Sequence, residues 1–159
     1  MKLNLGCGDL ILPGYVNIDL YDTRAPVKDD LRALKYEDGT VDEILSSHVI
    51  EHFDYMEAFA ILKEWHRVLK VGGILDIETP NMLGLCKKFL ELDEYGRYSL
   101  YGNFFSTPWL DGMWHKFLYT PTQLSWTLSH MGFINIKIVP ASRYPGQEDI
   151  NLRMNCQKQ

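Results

Sequence analysis

The stretch Met1-Lys-Leu-Asn-Leu-Gly-Cys-Gly-Asp9 decides how the rest of the chain is read. Leu3 and Leu5, alternating around Asn4, read as a short buried strand that stops at Gly6-Cys7-Gly8. Glycines at a strand's end let a ligand approach the main chain, because no Cβ stands in the way. A second run, Tyr15-Val-Asn-Ile-Asp-Leu20, places Asp19 near its carboxyl end. In an open parallel α/β sheet, ligands bind beyond the carboxyl ends of the strands, and an acid after the second strand can hold ribose hydroxyls. Glycine turn and Asp19 together predict a ligand that contains a nucleoside.

At 159 residues the chain reads as one domain with room for a real core. Hydrophobic residues at 46% and charged residues at 23% are ordinary for a globular protein. The net charge of −5 and the lack of any Lys/Arg cluster argue against a nucleic-acid partner. Cys7, Cys86 and Cys156 form no C-x-x-C pair, so neither a disulfide framework nor a zinc ribbon is expected. No run approaches the roughly 18 apolar residues of a membrane span. A cytoplasmic protein is the expectation.

Only ten residues separate Leu5 from Val16, including Pro13-Gly14. Parallel crossovers usually need about a dozen or more, so a turn of helix at most is expected there. Val27 to Leu31 reads as a short third strand and Val41 to His48 as a buried fourth. Ala58, Ile61, Leu62, Trp65, Val68 and Leu69 recur at helical spacing, with Gly72-Gly73 expected to end that helix. Gly73 to Thr79 is the next strand, and Met82, Leu85, Cys86, Phe89 and Leu90 form another helical stripe. Thr120-Pro-Thr-Gln123 opens a helix as a capping box, and Gly132 closes it. Phe133 to Val139 and Asp149 to Met154 both alternate and read as a terminal antiparallel pair.

A dinucleotide fingerprint would place a third glycine where Ile11 stands, which disfavours a nicotinamide cofactor. His48-Val-Ile-Glu-His52 matches the H-x-x-E-H pattern of one zinc-protease class. That pattern needs a helix presenting both histidines on one face, whereas here it follows directly on a strand; no metal is expected. Ser47 and His48 fall instead at the tip of the fourth strand. His52 reads as structural, bonded for instance to a carbonyl, and His66 and His130 as surface or capping residues. From Tyr95 to Tyr119, nine of 25 residues are aromatic against 13% overall, Trp109 among them. The segment of about 81–120 is expected to be an aromatic lid or insertion, and His115 within it is a candidate base.

In this order the motifs resemble those of class I S-adenosylmethionine-dependent methyltransferases, in particular the small "methyltransferase type 11" group. Leu3-Asn-Leu-Gly-Cys-Gly8 is similar to that family's first motif, with Asn4 where an acid is usual and Leu10 where a third glycine stands. Val41 to His52, Leu62 to Leu75 and His115 to Phe133 resemble its later motifs. The resemblance covers nearly the whole chain and implies a Rossmann-like seven-stranded, mostly parallel sheet whose last strand is antiparallel, pared down at the N-terminus. It implies S-adenosyl-L-methionine as cofactor, S-adenosyl-L-homocysteine as product, and a small-molecule acceptor. On this reading Asn4, Gly6, Cys7 and Gly8 lie at the methionine end, Asp19 and Leu20 at the ribose, and Asp30 and Leu31 at the adenine. Ser47 lies between cofactor and acceptor, with His48 and His115 as candidate bases. A homo-oligomer is compatible with the missing leading helix. The rival readings are a catalytically degenerate nucleoside- or partner-binding protein of the same fold, and a zinc hydrolase built on His48, Glu51 and His52.

Overall fold

The computed structural model describes residues 1–107 and 112–159. Six strands form one sheet: β1 (Lys2–Leu5), β2 (Val16–Ile18), β3 (Val41–Ser47), β4 (Leu69–Pro80), β5 (Phe133–Val139) and β6 (Asn151–Lys158). Their order is β2-β1-β3-β4-β6-β5. The first four are mutually parallel, and β6 runs antiparallel to both of its neighbours. This is the expected Rossmann-like sheet with the antiparallel strand entering between β4 and β5.

The expected third strand, Val27 to Leu31, shrinks to one bridge between Val27 and Ile18, which leaves six strands in place of seven. Its neighbours explain why. Pro26 has no N–H to donate to a ladder. Beyond Val27 the side chain of Asp29 accepts from the N–H groups of Asp30 and Lys35 and turns the chain away. The first crossover contains turns only, as its length dictates.

Helix α1 (Tyr55–Val68) carries the expected apolar face, with Ala58, Ile61, Leu62, Trp65 and Val68 buried. Its start was legible though unread: Asp54 and Glu57 form a reciprocal capping box. Its end comes earlier than the glycines suggest, because Leu69 is already extended and begins β4. Gly72 (φ +76°) and Gly73 instead form an irregularity inside that strand, where the register with β3 shifts. The remaining helices are α2 (Met82–Glu91), α3 (Glu94–Ser99), α4 (Tyr101–Phe105) and α5 (Pro121–His130). Thr120 caps α5 by accepting from the Gln123 N–H, with Pro121 at its first position.

The core lies between the sheet and α1 and α5, with Leu3, Leu5, Ile44, Trp65, Leu75 and Leu128 wholly buried. A smaller apolar cluster, Leu85, Leu100 and Ile150, fixes α2 against the segment before β6. No helix of the described residues is long and apolar enough to cross a membrane.

Candidate functional site

A cavity of about 990 Å³ opens at the carboxyl ends of β1, β2 and β3. Its floor is the glycine turn. Gly6 has a φ of +66°, and a Cβ there would lie 2.3 Å from Val49 Cγ2. Gly8 also has a positive φ, of +49°, but a Cβ there would meet none of the described residues within 4 Å. The first glycine is therefore required for packing. The second keeps the space beside the main chain open.

The hydrogen bonds of this turn say what kind of ligand it suits. The Cys7 N–H donates to the Ile18 carbonyl at 3.0 Å and the Gly8 N–H to Asp19 Oδ2 at 3.0 Å. Glycine loops that hold phosphate keep such N–H groups free for the anion. Here two of them are occupied within the protein, which speaks against a dinucleotide. Asp19 Oδ1 accepts further from Tyr21 and Asp22, both at 2.8 Å. A carboxylate offers about four acceptor sites, so Asp19 is held in place with capacity to spare.

Asn4 is 1% exposed, and its amide donates to Leu10 O at 2.6 Å and to Asn17 Oδ1 at 2.8 Å. Asn17 in turn accepts from Leu12 N–H and donates to the Leu12 and Tyr15 carbonyls. Asn4 therefore lines the cavity as the anchor of the short first crossover. An aspartate there would have no N–H to give. On the other wall, Asp30 is paired with Arg32, and Leu31 is fixed by its carbonyl, which accepts from Trp65 Nε1 at 3.2 Å. Leu20 lies on the exposed rim.

β3 ends at Ser47, which borders the cavity and whose buried Oγ has no hydrogen-bond partner among the described residues. His48 then adopts a left-handed backbone (φ 56°), a conformation costing on the order of 1 kcal/mol or more outside glycine. This turn sends Val49 under Gly6 and swings residues 50–52 into a single 3-10 turn. The next element of the site arrives from far along the chain. The Glu51 carbonyl accepts from the Lys116 and Phe117 N–H groups at 2.8 and 3.2 Å, which brings His115 against Glu51. His115 Nε2 lies 4.0 Å from Glu51 Oε1. Burial holds the His115 imidazole below its ordinary pKa, against the opposing pull of Glu51.

The roof was not foreseen from sequence. Glu78, 3% exposed at the tip of β4, accepts from the Ser142 and Arg143 N–H groups at 3.0 Å each. It thereby ties the loop between β5 and β6 over the cavity. Arg143 pairs with Asp9 in the first loop, and Tyr144 meets the His48 ring edge-on at 4.9 Å. An acid closing a buried strand was the available signal for Glu78.

All eleven residues singled out in the sequence thus border this one cavity. The aromatic segment contributes to the cavity through residues other than its Phe, Tyr and Trp side chains. Among its described residues the cavity-facing ones are Gly102, Asn103, Ser106, Gly112, Met113, His115 and Lys116, and none of its rings. Tyr95 and Tyr98 point to solvent, Tyr119 is buried in the core, and Trp109 lies outside the described residues. His52 donates from Nδ1 to the Trp114 carbonyl at 3.2 Å, as a carbonyl-bonded histidine should. His130 stacks on Trp126, and His66 packs on Phe133.

The cysteines offer the cavity no activated thiol: Cys7 alone borders it, and burial raises its pKa. Burial pushes the Cys156 thiol up to about 12 and also raises Cys7, whereas Cys86 is half-exposed. With a disulfide reagent near pH 8, the folded protein should react quickly at Cys86 alone and at all three thiols once unfolded. Fast reaction of Cys7 or Cys156 in the folded state would contradict this placement.

A family model described as a methyltransferase domain matches residues 15–77, from β2 through most of β4. The glycine turn lies just outside that span. No curated protein matches the chain in sequence. Among solved structures, it superposes on a SAM-dependent methyltransferase of Thermotoga maritima described as a possible histamine N-methyltransferase. That match has a TM-score of 0.67 and 15% identity, and covers 99% of this chain and 82% of the other. A SAM-dependent methyltransferase of Archaeoglobus fulgidus matches with a TM-score of 0.65 at 16% identity, covering 99% and 85%. One of Methanosarcina mazei gives 0.66 at 17%, covering 99% and 91%.

Proposed function

We propose that this chain is a class I methyltransferase that binds S-adenosyl-L-methionine in the cavity over β1 to β3 and methylates a small molecule there, a reading that its fold and the methyltransferase-domain match to residues 15–77 support. The observation that carries the reading is the convergence of the glycine turn, Asp19, Leu31, Ser47, His48 and His115 on a single space. The residues fit the cofactor on independent grounds. Gly8 leaves open space beside the backbone, Ser47 borders the cavity with a hydroxyl that has no partner among the described residues, and Asp19 would be a fixed acceptor for ribose hydroxyls.

Bound there, the cofactor would supply an electrophilic methyl group on a sulfonium. The chain's own share is alignment and exclusion of water. The loop held by Glu78 and the pair Arg143–Asp9 cover the cavity from one side, and residues 102–106 and 112–116 from the other. About 990 Å³ lies at the upper end for small-molecule pockets, roughly 300–1,000 Å³, which accommodates a cofactor and a small acceptor together. For a hydroxyl acceptor, His48 or His115 would take the proton; the depressed pKa of His115 keeps that imidazole neutral and able to do so.

The test is thermal unfolding with S-adenosylhomocysteine, with NAD as control. At ligand about 100 times its dissociation constant, stabilisation of about 2.7 kcal/mol is expected, a shift of several degrees. No shift at millimolar S-adenosylhomocysteine would favour a degenerate protein of the same fold.

A further inference from the structure

We infer that Glu51, His52 and His115 form a binding site for one divalent transition-metal ion at the acceptor end of the cavity. Each contributes one donor atom, and the three atoms lie within 4.8 Å of one another. Ligands around such an ion sit at roughly 2.0–2.2 Å from it, hence about 3–3.5 Å apart, so small side-chain movements would close the site.

The sequence spacing pointed to a different trio. The backbone bonds from Lys116 and Phe117 to Glu51 replace His48 by His115. His48 Nδ1 lies 3.2 Å from Glu51 Oε1, but it is not aligned as a hydrogen bond. Glu51 is wholly buried, and among the described residues Oε1 has no hydrogen-bond partner. A buried carboxylate oxygen with no donor is a large unfavourable term unless something cationic meets it.

The surroundings are also those of ligands. A carbonyl oxygen can only accept, so His52 Nδ1, 3.2 Å from Trp114 O, and His115 Nδ1, 3.1 Å from Asn103 O, both carry their protons there. Each ring thereby presents Nε2 with its lone pair free. The second Glu51 oxygen accepts from Thr79 Oγ1 at 3.0 Å. Every member of the trio is thus oriented by an outer partner, as metal ligands usually are.

Two imidazoles and one carboxylate suit zinc, manganese, iron or cobalt rather than magnesium or calcium, which prefer oxygen. His52 and His115 border the cavity, so positions beyond the three protein ligands would face it. This point rests on the function proposed above: the ion would hold an acceptor through an oxygen or nitrogen lone pair, and with His115 Nε2 on the ion the base would be His48. A carboxylate- or phenol-bearing acceptor fits best, because one protein carboxylate leaves a divalent ion with net positive charge.

The experiment is titration of chelator-treated full-length protein with Co²⁺, read by visible absorption. One equivalent should give a saturable band. His52→Asn and His115→Asn should each weaken cobalt at least about tenfold, and Thr79→Val about 10- to 100-fold; His130→Asn, remote from the trio, should leave it unchanged. Should Glu51→Gln fail to fold, the half-buried His52 still provides the test. Absence of a band, or binding insensitive to His52 and His115, would overturn the site and leave Glu51 as the partner of a protonated histidine. S-adenosylhomocysteine shifts on the same samples separate the two readings. Retained shifts without cobalt binding reject the metal alone, and cobalt binding without shifts rejects the cofactor assignment alone.

Discussion

Replacing Asp19 by alanine is expected to weaken S-adenosylhomocysteine binding at least about tenfold while the protein stays folded. The magnitude follows from charge-assisted hydrogen bonds, worth about 1.5–3 kcal/mol each, of which a ribose diol makes one or two. Asp19 also accepts from Gly8, Tyr21 and Asp22 N–H groups. These donors lie near the surface, so water can replace the lost oxygen, and the expected cost in stability is only about 1–2 kcal/mol. Asp19→Asn sharpens the test. Its single oxygen cannot serve Gly8 on one side and Tyr21 and Asp22 on the other, so its NH2 would face a backbone donor. Binding should suffer nearly as much as in the alanine variant, with the loop less well held. Calorimetric titration of both variants decides the matter, and an unchanged affinity in Asp19→Ala would falsify the assignment of this acid to the ribose.

Asp19 was legible in the sequence because its position depends on local facts: a short apolar run, and an acid at its end. The same holds for α1, whose buried face is its spacing of Ile61, Leu62, Trp65 and Val68, and for the antiparallel pair β5 and β6. What misled was also local. Gly72-Gly73 looks like a helix stop, yet Leu69 leaves the helix first because it pairs with Val41 in the sheet. The run at Val27 has strand-like residues but cannot extend past Pro26 and Asp29. The parts of the site that sequence could not show are those made by distant segments meeting. His115 reaches Glu51 only through main-chain bonds at Lys116 and Phe117. Arg143 and Tyr144 reach the cavity only because Glu78 accepts from the loop that carries them. No periodicity encodes such meetings. The aromatic excess near residues 95–119 was real as composition and uninformative as placement: its described Phe, Tyr and Trp rings serve core or solvent, and Asn103, Ser106, His115 and Lys116 border the cavity instead.

The two glycines of the first turn should respond to the same substitution in opposite ways. Gly6→Ala meets Val49 Cγ2 at 2.3 Å in a left-handed backbone. The conformation costs about 1–2 kcal/mol and overpacking about 1–3 kcal/mol more, so a loss of about 2–5 kcal/mol is expected in denaturant unfolding. Val49 cannot retreat easily, because it follows the strained His48 and leads into the turn bearing Glu51. Adding Val49→Ala should recover the packing share and leave the backbone share. Gly8→Ala places its methyl where none of the described residues lies within 4 Å, so only the backbone share, about 1 kcal/mol, should appear in stability. Yet Gly8 borders the cavity, and its new methyl would occupy space that the ligand needs. S-adenosylhomocysteine binding should therefore fall more in Gly8→Ala than its small stability change explains. Equal ligand affinity in Gly8→Ala and the parent protein would show that the cofactor does not lie against this turn. In that case Asp19 and Ser47 would be holding something placed further out along the sheet.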